Sequence, residues 1–407
     1  MVKKENSSDP SVIDFTSDLI KALNKEHGNG EKIAYNLAYD DAPTKVHRWI
    51  PTGIRQLNYN IANRRNGGLP EGRIIEIFGP PSIGKSHVAA QIAKETQKMG
   101  GLVAYIDSEN ATSKENLELL GVNIEHGFIY LDAQCTEKVF ALIESIIVKT
   151  KSLRKDTPVT IIWDSVAGTS PKAEILGDYD KDSVGLQARA LSKGFRKITQ
   201  VIGNNRVTLV CLNQTRTAIG QMYGDNQKPS GGMSIPFHSS VRIKLGAGSQ
   251  IFPGGDTKKD PIGINVTAKT IKNKISPPFR SCSFQIHFGV GIKEHEELFD
   301  MLRSRGQVTV NGMKIEVEGT GSWKNFTVID ATTGEVKVEK KFYKKDFDTE
   351  VLNDPACAGY AEDLIEAHLV KRLDGVSLDD VDIDDDSLVE VESLADELKD
   401  ITGSPDE

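Results

Sequence analysis

The sequence has 407 residues, of which 38% are hydrophobic and 27% charged, as in ordinary globular proteins. It contains neither an apolar run of the ~20 residues that span a bilayer nor the apolar core of a secretory signal, which predicts a cytoplasmic protein without a membrane partner. The formal net charge of −8 lies in the tail, because residues 379–407 hold thirteen acidic residues and one lysine and leave +4 on the other 378. The mildly basic remainder therefore does not exclude nucleic-acid binding.

The first 47 residues are predicted to be an extension with one short helix. Residues 18–25 place apolar side chains at positions 19, 20 and 23, and the glycines of HGNG at 27–30 end the pattern. So short a helix is not stable alone in water, which predicts a partner surface on this subunit or on another one.

Residues 48–290 alternate short β-branched runs with helical stretches, which predicts an α/β domain with a mostly parallel twisted sheet. The predicted strands are 73–78, 102–107, 159–164, 206–213, 240–245, 265–272 and 283–288, and the predicted helices are 86–99, 137–151 and 184–204. No helix separates the last three strands, so an antiparallel extension is expected there.

Two further regions follow. Residues 291–375 are predicted to form a small α+β domain with short strands around Trp323 and a closing helix near 355–373. Residues 376–407 are acidic and poor in aromatic residues, which predicts a disordered tail. Such a tail can compete with DNA for basic surface, or it can simply aid solubility.

The segment GPPSIGKS at 79–86 fits the phosphate-binding loop G-x-x-x-x-G-K-[ST], and it stands between a predicted strand and a predicted helix, as that motif requires. Its backbone N–H groups would surround a nucleotide polyphosphate, its lysine would contact the β- and γ-phosphates, and its serine would ligate Mg²⁺. The alternative is a plain glycine turn. The predicted nucleotide-binding residues are Gly79, Pro80, Pro81, Ser82, Ile83, Gly84, Lys85, Ser86 and His87.

Polar residues end three more predicted strands, where ligands bind in open α/β sheets. Asp164 after VTIIW can hold Mg²⁺ through water, and Glu109 in YIDSE can act as the base that activates a water. Gln214 after LVCLN can sense the γ-phosphate. The alternatives are a strand-capping Asp, a solvated loop acid and an ordinary turn residue.

These segments together resemble the RecA family of recombinases. GLPEGRIIEIFGPPSIGKS, YIDSENA, DSVAGTSPKAEI, LNQTRTAIGQMYG and KTIKNKISPPFR, followed by FQIHFGVGI, stand in the order and spacing of that family. The resemblance covers about residues 15–375 and is strongest from 68 to 291. It is compatible with a bacterial or a phage-encoded member.

The resemblance implies that Glu109 is the catalytic glutamate, that Gln214 is the γ-phosphate sensor, and that Lys272 and Lys274 reach the ATP of a neighbouring subunit. Phe237 matches an aromatic residue that couples adjacent ATP sites. Without the resemblance, the two lysines would be a solvated strand edge and Phe237 a core residue. At Asn116 the chain departs from the family, which commonly places a tyrosine against the adenine there, whereas Phe288 keeps the second adenine-side aromatic.

Two segments, 174–186 and 215–232, resemble the DNA-contacting loops of the family. Cations for phosphates and apolar or aromatic groups for bases are typical of single-strand binding, although the composition alone also fits an ordinary surface loop. The residues assigned to DNA are Val184, Arg189, Arg196, Arg216, Ile219, Gly220, Met222, Tyr223, Lys228, Gly231 and Gly232.

The resemblance implies an ATP-dependent recombinase that forms a helical filament on single-stranded DNA and pairs it with homologous duplex, in DNA repair and the SOS response. It also brings a single-strand-binding protein and filament loaders into consideration as partners, without saying which loaders. One alternative is a hexameric helicase or translocase that shares the core. The other is a non-catalytic, nucleotide-gated DNA-coating protein, which Asn116 favours and Glu109 disfavours.

Overall fold

Helices and strands alternate as far as residue 205, and strands dominate after it. The computed structural model describes residues 10–30, 32–154, 156–177, 185–217, 227–229 and 232–371. The helices are α1 (Pro10–His27), α2 (Arg55–Ala62), α3 (Lys85–Lys98), α4 (Lys114–Leu119), α5 (Thr136–Leu153), α6 (Lys172–Ile175), α7 (Leu186–Asn205), α8 (Ser234–His238), α9 (His295–Arg305) and α10 (Ala358–Leu369). The strands are β1 (Trp49–Ile50), β2 (Leu69–Pro70), β3 (Ile74–Gly79), β4 (Leu102–Asp107), β5 (Phe128–Asp132), β6 (Val159–Asp164), β7 (Thr208–Thr217), β8 (Gln227–Pro229), β9 (Val241–Ile251), β10 (Gly263–Asn273), β11 (Ser281–His287), β12 (Gly291–Lys293), β13 (Val308–Val310), β14 (Met313–Glu318), β15 (Trp323–Asp330) and β16 (Val336–Tyr343).

A large sheet in the order β12-β11-β10-β9-β3-β7-β6-β4-β5 organises the chain, and β8 pairs with β7 beside it. Six neighbouring strands run parallel to one another, in the order β9, β3, β7, β6, β4 and β5. Strands β10, β11 and β12 extend the sheet beyond β9, each antiparallel to its neighbour. This arrangement confirms the predicted α/β fold class and its antiparallel extension. The carboxyl ends of the parallel strands therefore lie on one edge, where a site is expected.

The alternation of side chains along the strands builds one apolar layer on each face of this sheet. Ile75 and Ile77 pack with α2 and α3 on one face, whereas Ile74 and Trp163 pack with α5 and α7 on the other. Both faces of the central strands are buried, as parallel sheets require.

A second, antiparallel sheet of β13, β14, β15 and β16 follows in that order, flanked by α9 and α10. Its inner face packs through a cluster of edge-to-face and stacked rings, made of Phe299, Phe342 and Phe347. This region agrees with the small α+β region expected after the large sheet, whereas the exact domain bounds stay a prediction. The predicted tail at 376–407 lies outside the described residues. Within those residues, no helix is long and apolar enough to cross a bilayer.

Several elements differ from the sequence predictions: α2 and α4 were not predicted, β9 runs to Ile251 beyond the predicted end at 245, and α1, β5 and β7 differ as follows. Helix α1 spans Pro10–His27 rather than eight residues, since proline is compatible with a first helical position. Strand β5 was not predicted; it is the edge strand of the large sheet, so several of its side chains are exposed and no buried apolar run marks it. Strand β7 continues to Thr217 because it pairs there with β8, inside a segment predicted to be a loop.

A buried carboxylate joins the large sheet to the region that follows it. Glu294, just before α9, accepts hydrogen bonds from the backbone N–H groups of Arg55 (2.8 Å) and Gln56 (3.4 Å), and it lies 3.7 Å from the Arg55 guanidinium. Burial raises the pKa of Glu294 from 4.5 to about 7, although Arg55 opposes the shift. The folded protein thus binds this proton more tightly than the unfolded chain does.

We expect this junction to lose stability as the pH rises. A carboxyl with a raised folded pKa contributes fully below its unfolded value of 4.5, and the contribution disappears as the pH rises to about 7. Between pH 5 and 8, the unfolding free energy of the wild type should fall by about 2 kcal/mol relative to that of Glu294→Gln. Urea denaturation of both proteins at several pH values measures this, and parallel pH profiles would contradict it.

Candidate nucleotide-binding site

A loop of tight backbone turns connects β3 to α3. Gly84 adopts a left-handed conformation with φ of 92° at the start of α3, and a side chain there would lie 2.2 Å from Ile286 Cδ1. A Cβ at Gly79 would lie 2.5 Å from the carbonyl oxygen of Leu245. Both positions therefore require glycine, and the loop ends at a helix N-terminus, which favours an anion.

Lys85, Ser86 and Asp164 meet at the mouth of this loop. The largely buried Lys85 amine donates to the carbonyl oxygens of Gly79 (3.1 Å) and Pro80 (2.7 Å). Burial lowers the pKa of Lys85, while the carboxylates of Asp164 and Glu109 oppose that shift. The Ser86 hydroxyl donates to Asp164 Oδ2 at 2.8 Å, so a hydroxyl and a carboxylate converge beside the lysine.

A buried tyrosine holds the same carboxylate oxygen. Tyr105, on β4, donates its hydroxyl proton to Asp164 Oδ2 at 2.6 Å. Burial raises the pKa of Asp164, whereas the hydrogen bonds from Tyr105 and Ser86 lower it. The two donors thus fix the orientation of a carboxylate that is largely removed from water.

Glu109 is the centre of a second cluster. Its Oε1 accepts hydrogen bonds from the hydroxyl of Ser165 and, at 3.1 Å, from Gln214 Nε2. Gly168 permits this arrangement, because a Cβ there would lie 2.7 Å from Glu109 Cγ. The predicted base and the predicted sensor are therefore directly hydrogen-bonded, although 105 residues separate them in the chain.

Asp107 fixes the turn that carries Glu109. It is almost completely buried, and its carboxylate accepts from the backbone N–H groups of Glu109 (2.9 Å) and Thr112 (3.0 Å). The Tyr130 hydroxyl donates to the same carboxylate at 3.2 Å.

A cavity of about 90 Å³ opens beside these groups, and Asn116, Tyr105, Glu109 and Asp164 line it together with apolar residues. Phe288, predicted on the adenine side, is half exposed and lies three residues before Gly291, whose Cβ position is 3.5 Å from the cavity residue Leu120. His87 is half-buried in α3, and burial lowers its pKa.

A buried ion pair lies under the loop. Glu76 on β3, fully buried, accepts from Arg242 Nε at 2.5 Å and from Asn213 Nδ2 at 3.0 Å. The Gln214 backbone N–H donates to Asn213 Oδ1 at 3.0 Å. Glu76 thus contacts β9 through Arg242 and β7 through Asn213. Removing one partner of the ion pair would leave the other charge buried and unpaired, which costs about 3–5 kcal/mol.

Lys272 and Lys274 are not brought to this site. In the register of the sheet, Lys272 on β10 stands opposite Arg242 on β9. Arg242 in turn stands opposite Glu76 on β3, three residues before Gly79. At about 3.3 Å per residue and 4.8 Å per strand, Lys272 lies roughly 14 Å from the loop, beyond the reach of its side chain. Its amine instead donates to the carbonyl oxygens of Pro236 (2.5 Å) and Phe237 (3.1 Å), and the Phe237 ring is 73% exposed rather than a core residue.

The residues assigned to DNA are described only in part. Arg189 and Arg196 are exposed on α7. Gly232 lies against Ala188 of this helix, since a Cβ added at Gly232 would be 3.3 Å from the Ala188 Cβ. The roots of both predicted loops therefore meet at the start of α7. Val184, Ile219, Gly220, Met222, Tyr223 and Gly231 lie outside the described residues, and Arg216 and Lys228 are described only as paired strand backbone.

Sequence reasoning missed Tyr105, Asp107 and Ser165 as parts of the site. Tyr105 and Asp107 stand in the segment YIDSE, where the period of the strand places the tyrosine on the same face as the acid. Ser165 follows the strand-ending Asp164 directly, but no sequence signal indicates that its hydroxyl contacts Glu109.

Comparison with known proteins places these residues in a family. Residues 16–293 match the family model of the RecA N-terminal domain. The chain is 35% identical over 337 residues to Protein RecA of Wolinella succinogenes, covering 82% of this chain and 87% of that protein. It is 34% identical over 353 residues to Protein RecA of Bacteroides thetaiotaomicron, covering 87% and 96%, and 35% identical over 329 residues to that of Campylobacter jejuni, covering 80% and 87%.

Proposed function

The chain belongs to the RecA family, and on this premise we propose that it is an ATP-dependent recombinase. It forms a helical filament on single-stranded DNA, pairs that strand with homologous duplex and promotes strand exchange. The observation that carries the proposal is the hydrogen bond between Glu109 and Gln214, because Gln214 stands on the strand that leads into the second DNA loop. The same hydrogen bond would then affect both the rate of nucleotide hydrolysis and the affinity for DNA.

The loop and its neighbours fit ATP with Mg²⁺. The helix N-terminus and Lys85 supply positive charge for the β- and γ-phosphates. Mg²⁺ prefers a carboxylate, a hydroxyl and phosphate oxygens, which Asp164, Ser86 and the nucleotide provide. Within the described residues, no group of three or more His, Cys, Asp or Glu side chains could hold a metal ion by itself.

The placement of Glu109 supports a role as the general base in ATP hydrolysis. Its carboxylate would accept the proton of a water that attacks the γ-phosphorus, while the amide of Gln214 donates to the same carboxylate or to the γ-phosphate. Loss of the γ-phosphate would remove one partner of Gln214 and change the start of the loop at 215–232. Bound Mg²⁺ would neutralise charge on the phosphates.

The position of Lys272 and Lys274 supports a nucleotide shared between subunits. Lys272 cannot reach the loop of its own chain, and Lys274 lies farther from it, because its backbone N–H donates to the Ser240 carbonyl, two residues before Arg242. Lys272 instead contacts the carbonyl of the exposed Phe237. In a head-to-tail polymer the surface around Phe237 would face the loop of the next subunit, and the lysines would stabilise charge developing on its γ-phosphate. Hydrolysis would then require assembly.

Helix α1 supplies a second assembly contact. Phe15, Leu19 and Leu23 repeat every four residues and are all exposed, so they form an apolar stripe that no described residue covers. The free edge strand β5 and helix α5 bound an apolar groove of about 510 Å³ that Ile129, Leu142, Ile146 and Leu153 help to line. An exposed stripe and an exposed groove on one chain fit a contact that repeats without closing.

Electron microscopy and an ATPase assay test the proposal. With an ATP analogue and single-stranded DNA we expect open helical filaments; closed six-membered rings would favour the helicase alternative. DNA should stimulate ATP hydrolysis, and the absence of stimulation would favour the DNA-coating alternative. Strand exchange between homologous DNAs should occur with ATP and not without it.

We expect Tyr105→Phe to weaken the Mg²⁺ dependence of nucleotide binding. The change keeps the buried ring, which packs 6.1 Å from the Phe128 ring, but deletes one of the two side-chain donors to Asp164. Loss of an outer partner of a metal ligand typically costs 10–100-fold in metal affinity, and we expect about 10-fold here.

Titration of Mg²⁺ against a fluorescent ATP analogue measures this effect without reliance on turnover. Tyr360→Phe, on α10, is the matched control. An unchanged Mg²⁺ requirement in Tyr105→Phe would show that the hydroxyl does not position Asp164.

A further inference from the structure

We propose that His238, the last residue of α8, is a positioning residue whose neutral ring holds Phe237 and two lysines of β10 in place for the next subunit. Protonation of this ring would weaken subunit assembly and DNA-stimulated hydrolysis, an effect that rests on the function proposed above. The half-buried ring stacks on Phe195 with 5.9 Å between centroids and 19° between planes. It meets the exposed Phe237 ring edge-to-face, at 5.2 Å and 79°. His238 therefore lies between a core ring and a ring of the surface assigned to the subunit contact.

The backbone on either side of His238 holds both lysines. The Lys272 amine donates to the carbonyl oxygens of the two α8 residues that precede His238, at 2.5 and 3.1 Å. The Lys274 backbone N–H donates to the Ser240 carbonyl, two residues after His238, at 2.9 Å. A displacement of residues 236–240 would therefore move both lysines together with the exposed aromatic ring.

A hydrogen bond to α7 fixes which nitrogen of the ring carries hydrogen. The Thr199 hydroxyl donates its single proton to the Phe195 carbonyl at 2.6 Å. The same oxygen lies 3.1 Å from His238 Nδ1, and toward that nitrogen it can only accept. In the neutral ring Nδ1 therefore carries the hydrogen and Nε2 carries none. A further proton would bind Nε2 and give the ring a full positive charge.

The charged groups that act on this ring are all cations, namely Arg196 on α7 and Lys272 and Lys274 on β10. The carboxylate of Glu76 on β3, a strand that packs against α8, is already paired with Arg242. Burial and the three cations lower the pKa of His238 from its ordinary 6.5, so the folded protein binds this proton less tightly than the unfolded chain does. The neutral ring is therefore present at pH 7. As the pH falls through the folded pKa, a fourth like charge appears beside the lysines and repels them.

The pH profile of DNA-stimulated ATP hydrolysis tests the proposal on the full chain. His238→Phe keeps a stacked ring that cannot be protonated. Below the folded pKa of His238, wild-type hydrolysis should fall relative to that of His238→Phe by up to about tenfold per pH unit. His238→Arg carries a charge at every pH, so at pH 7.5 it should hydrolyse ATP about tenfold more slowly than His238→Phe. ATP binding by isolated chains should be equal in all three proteins at that pH, because the loop of the same chain is unchanged.

Two readouts separate this proposal from the proposed function. Parallel hydrolysis profiles of wild type and His238→Phe, or full activity of His238→Arg at pH 7.5, would overturn the role of His238 and leave the recombinase function intact. An absence of DNA-stimulated hydrolysis in all three proteins at every pH would instead reject the recombinase function.

Self-association and histidine NMR then decide the role of His238 without DNA or nucleotide. In sedimentation, acidic pH should weaken self-association of the wild type more than that of His238→Phe, and equal pH dependence would overturn the proposal. The Hε1 resonance that is lost in His238→Phe should titrate below pH 6.5 in the wild type, and a titration at or above pH 6.5 would overturn it as well.

Discussion

Glu109→Gln should reduce ATP hydrolysis by about 10²–10⁴-fold while leaving nucleotide binding nearly intact. The substitution keeps the length of the side chain and its contacts with Ser165 and Gln214, but it removes the group that accepts a proton from the attacking water. Because the γ-phosphate persists, filaments of this variant should hold single-stranded DNA longer than the wild type does.

Hydrolysis and DNA release measured on the same sample check both parts of this prediction. Glu335→Gln, which removes an exposed carboxylate from the second sheet, is the control and should behave as the wild type. A Glu109→Gln variant that hydrolyses ATP at the normal rate would exclude Glu109 as the base. One that releases DNA normally despite lost hydrolysis would separate the Glu109–Gln214 contact from the grip on DNA.

Lys272→Ala combined with Lys274→Ala should abolish DNA-stimulated hydrolysis, by about 10²-fold or more, without weakening the binding of ATP to a single chain. The expectation follows from the sheet register, which places both lysines away from the loop of their own chain. The double change also removes the hydrogen bonds that Lys272 donates to the carbonyls of α8.

Lys272→Arg with Lys274→Arg keeps both charges and is the matched variant. If the alanine variant bound ATP less tightly as an isolated chain, the lysines would act within one subunit. If the arginine variant lost as much as the alanine variant, geometry rather than charge would be the cause. Thermal unfolding of both variants shows whether the loss of contacts with α8 alters stability.

The sequence predicts the fold here wherever an element is buried on a regular period. The central strands of the large sheet and helices α3, α5 and α7 fall within a few residues of the predicted bounds, because each carries a continuous apolar run or stripe. Strand β5 was not predicted, because an edge strand exposes side chains on both faces of the sheet and so lacks a buried apolar run. The extension of β7 to Thr217 was not predicted, because it depends on hydrogen bonds to β8 that the composition of the segment does not indicate.

The same limits hold for the site. The loop residues and Asp164 follow from a motif whose spacing is fixed by phosphate geometry, and the structure brings them together. The hydrogen bond of Gln214 to Glu109 needs the strand order β7-β6-β4, which no local pattern gives. The role of Tyr105 was not predicted, because a tyrosine in an apolar strand indicates burial only. The 2.6 Å hydrogen bond from its hydroxyl to Asp164 depends on the tertiary structure.

Mixing two inactive variants tests the shared nucleotide most directly. Lys85→Ala lacks the lysine of its own loop but keeps Lys272 and Lys274, and the double alanine variant has the opposite defect. In an equal mixture on single-stranded DNA, about a quarter of the head-to-tail contacts would pair an intact loop with intact lysines, so up to about a quarter of wild-type hydrolysis should return. Hydrolysis that stays at the level of the separate variants, in filaments shown to contain both, would contradict an active site built from two subunits.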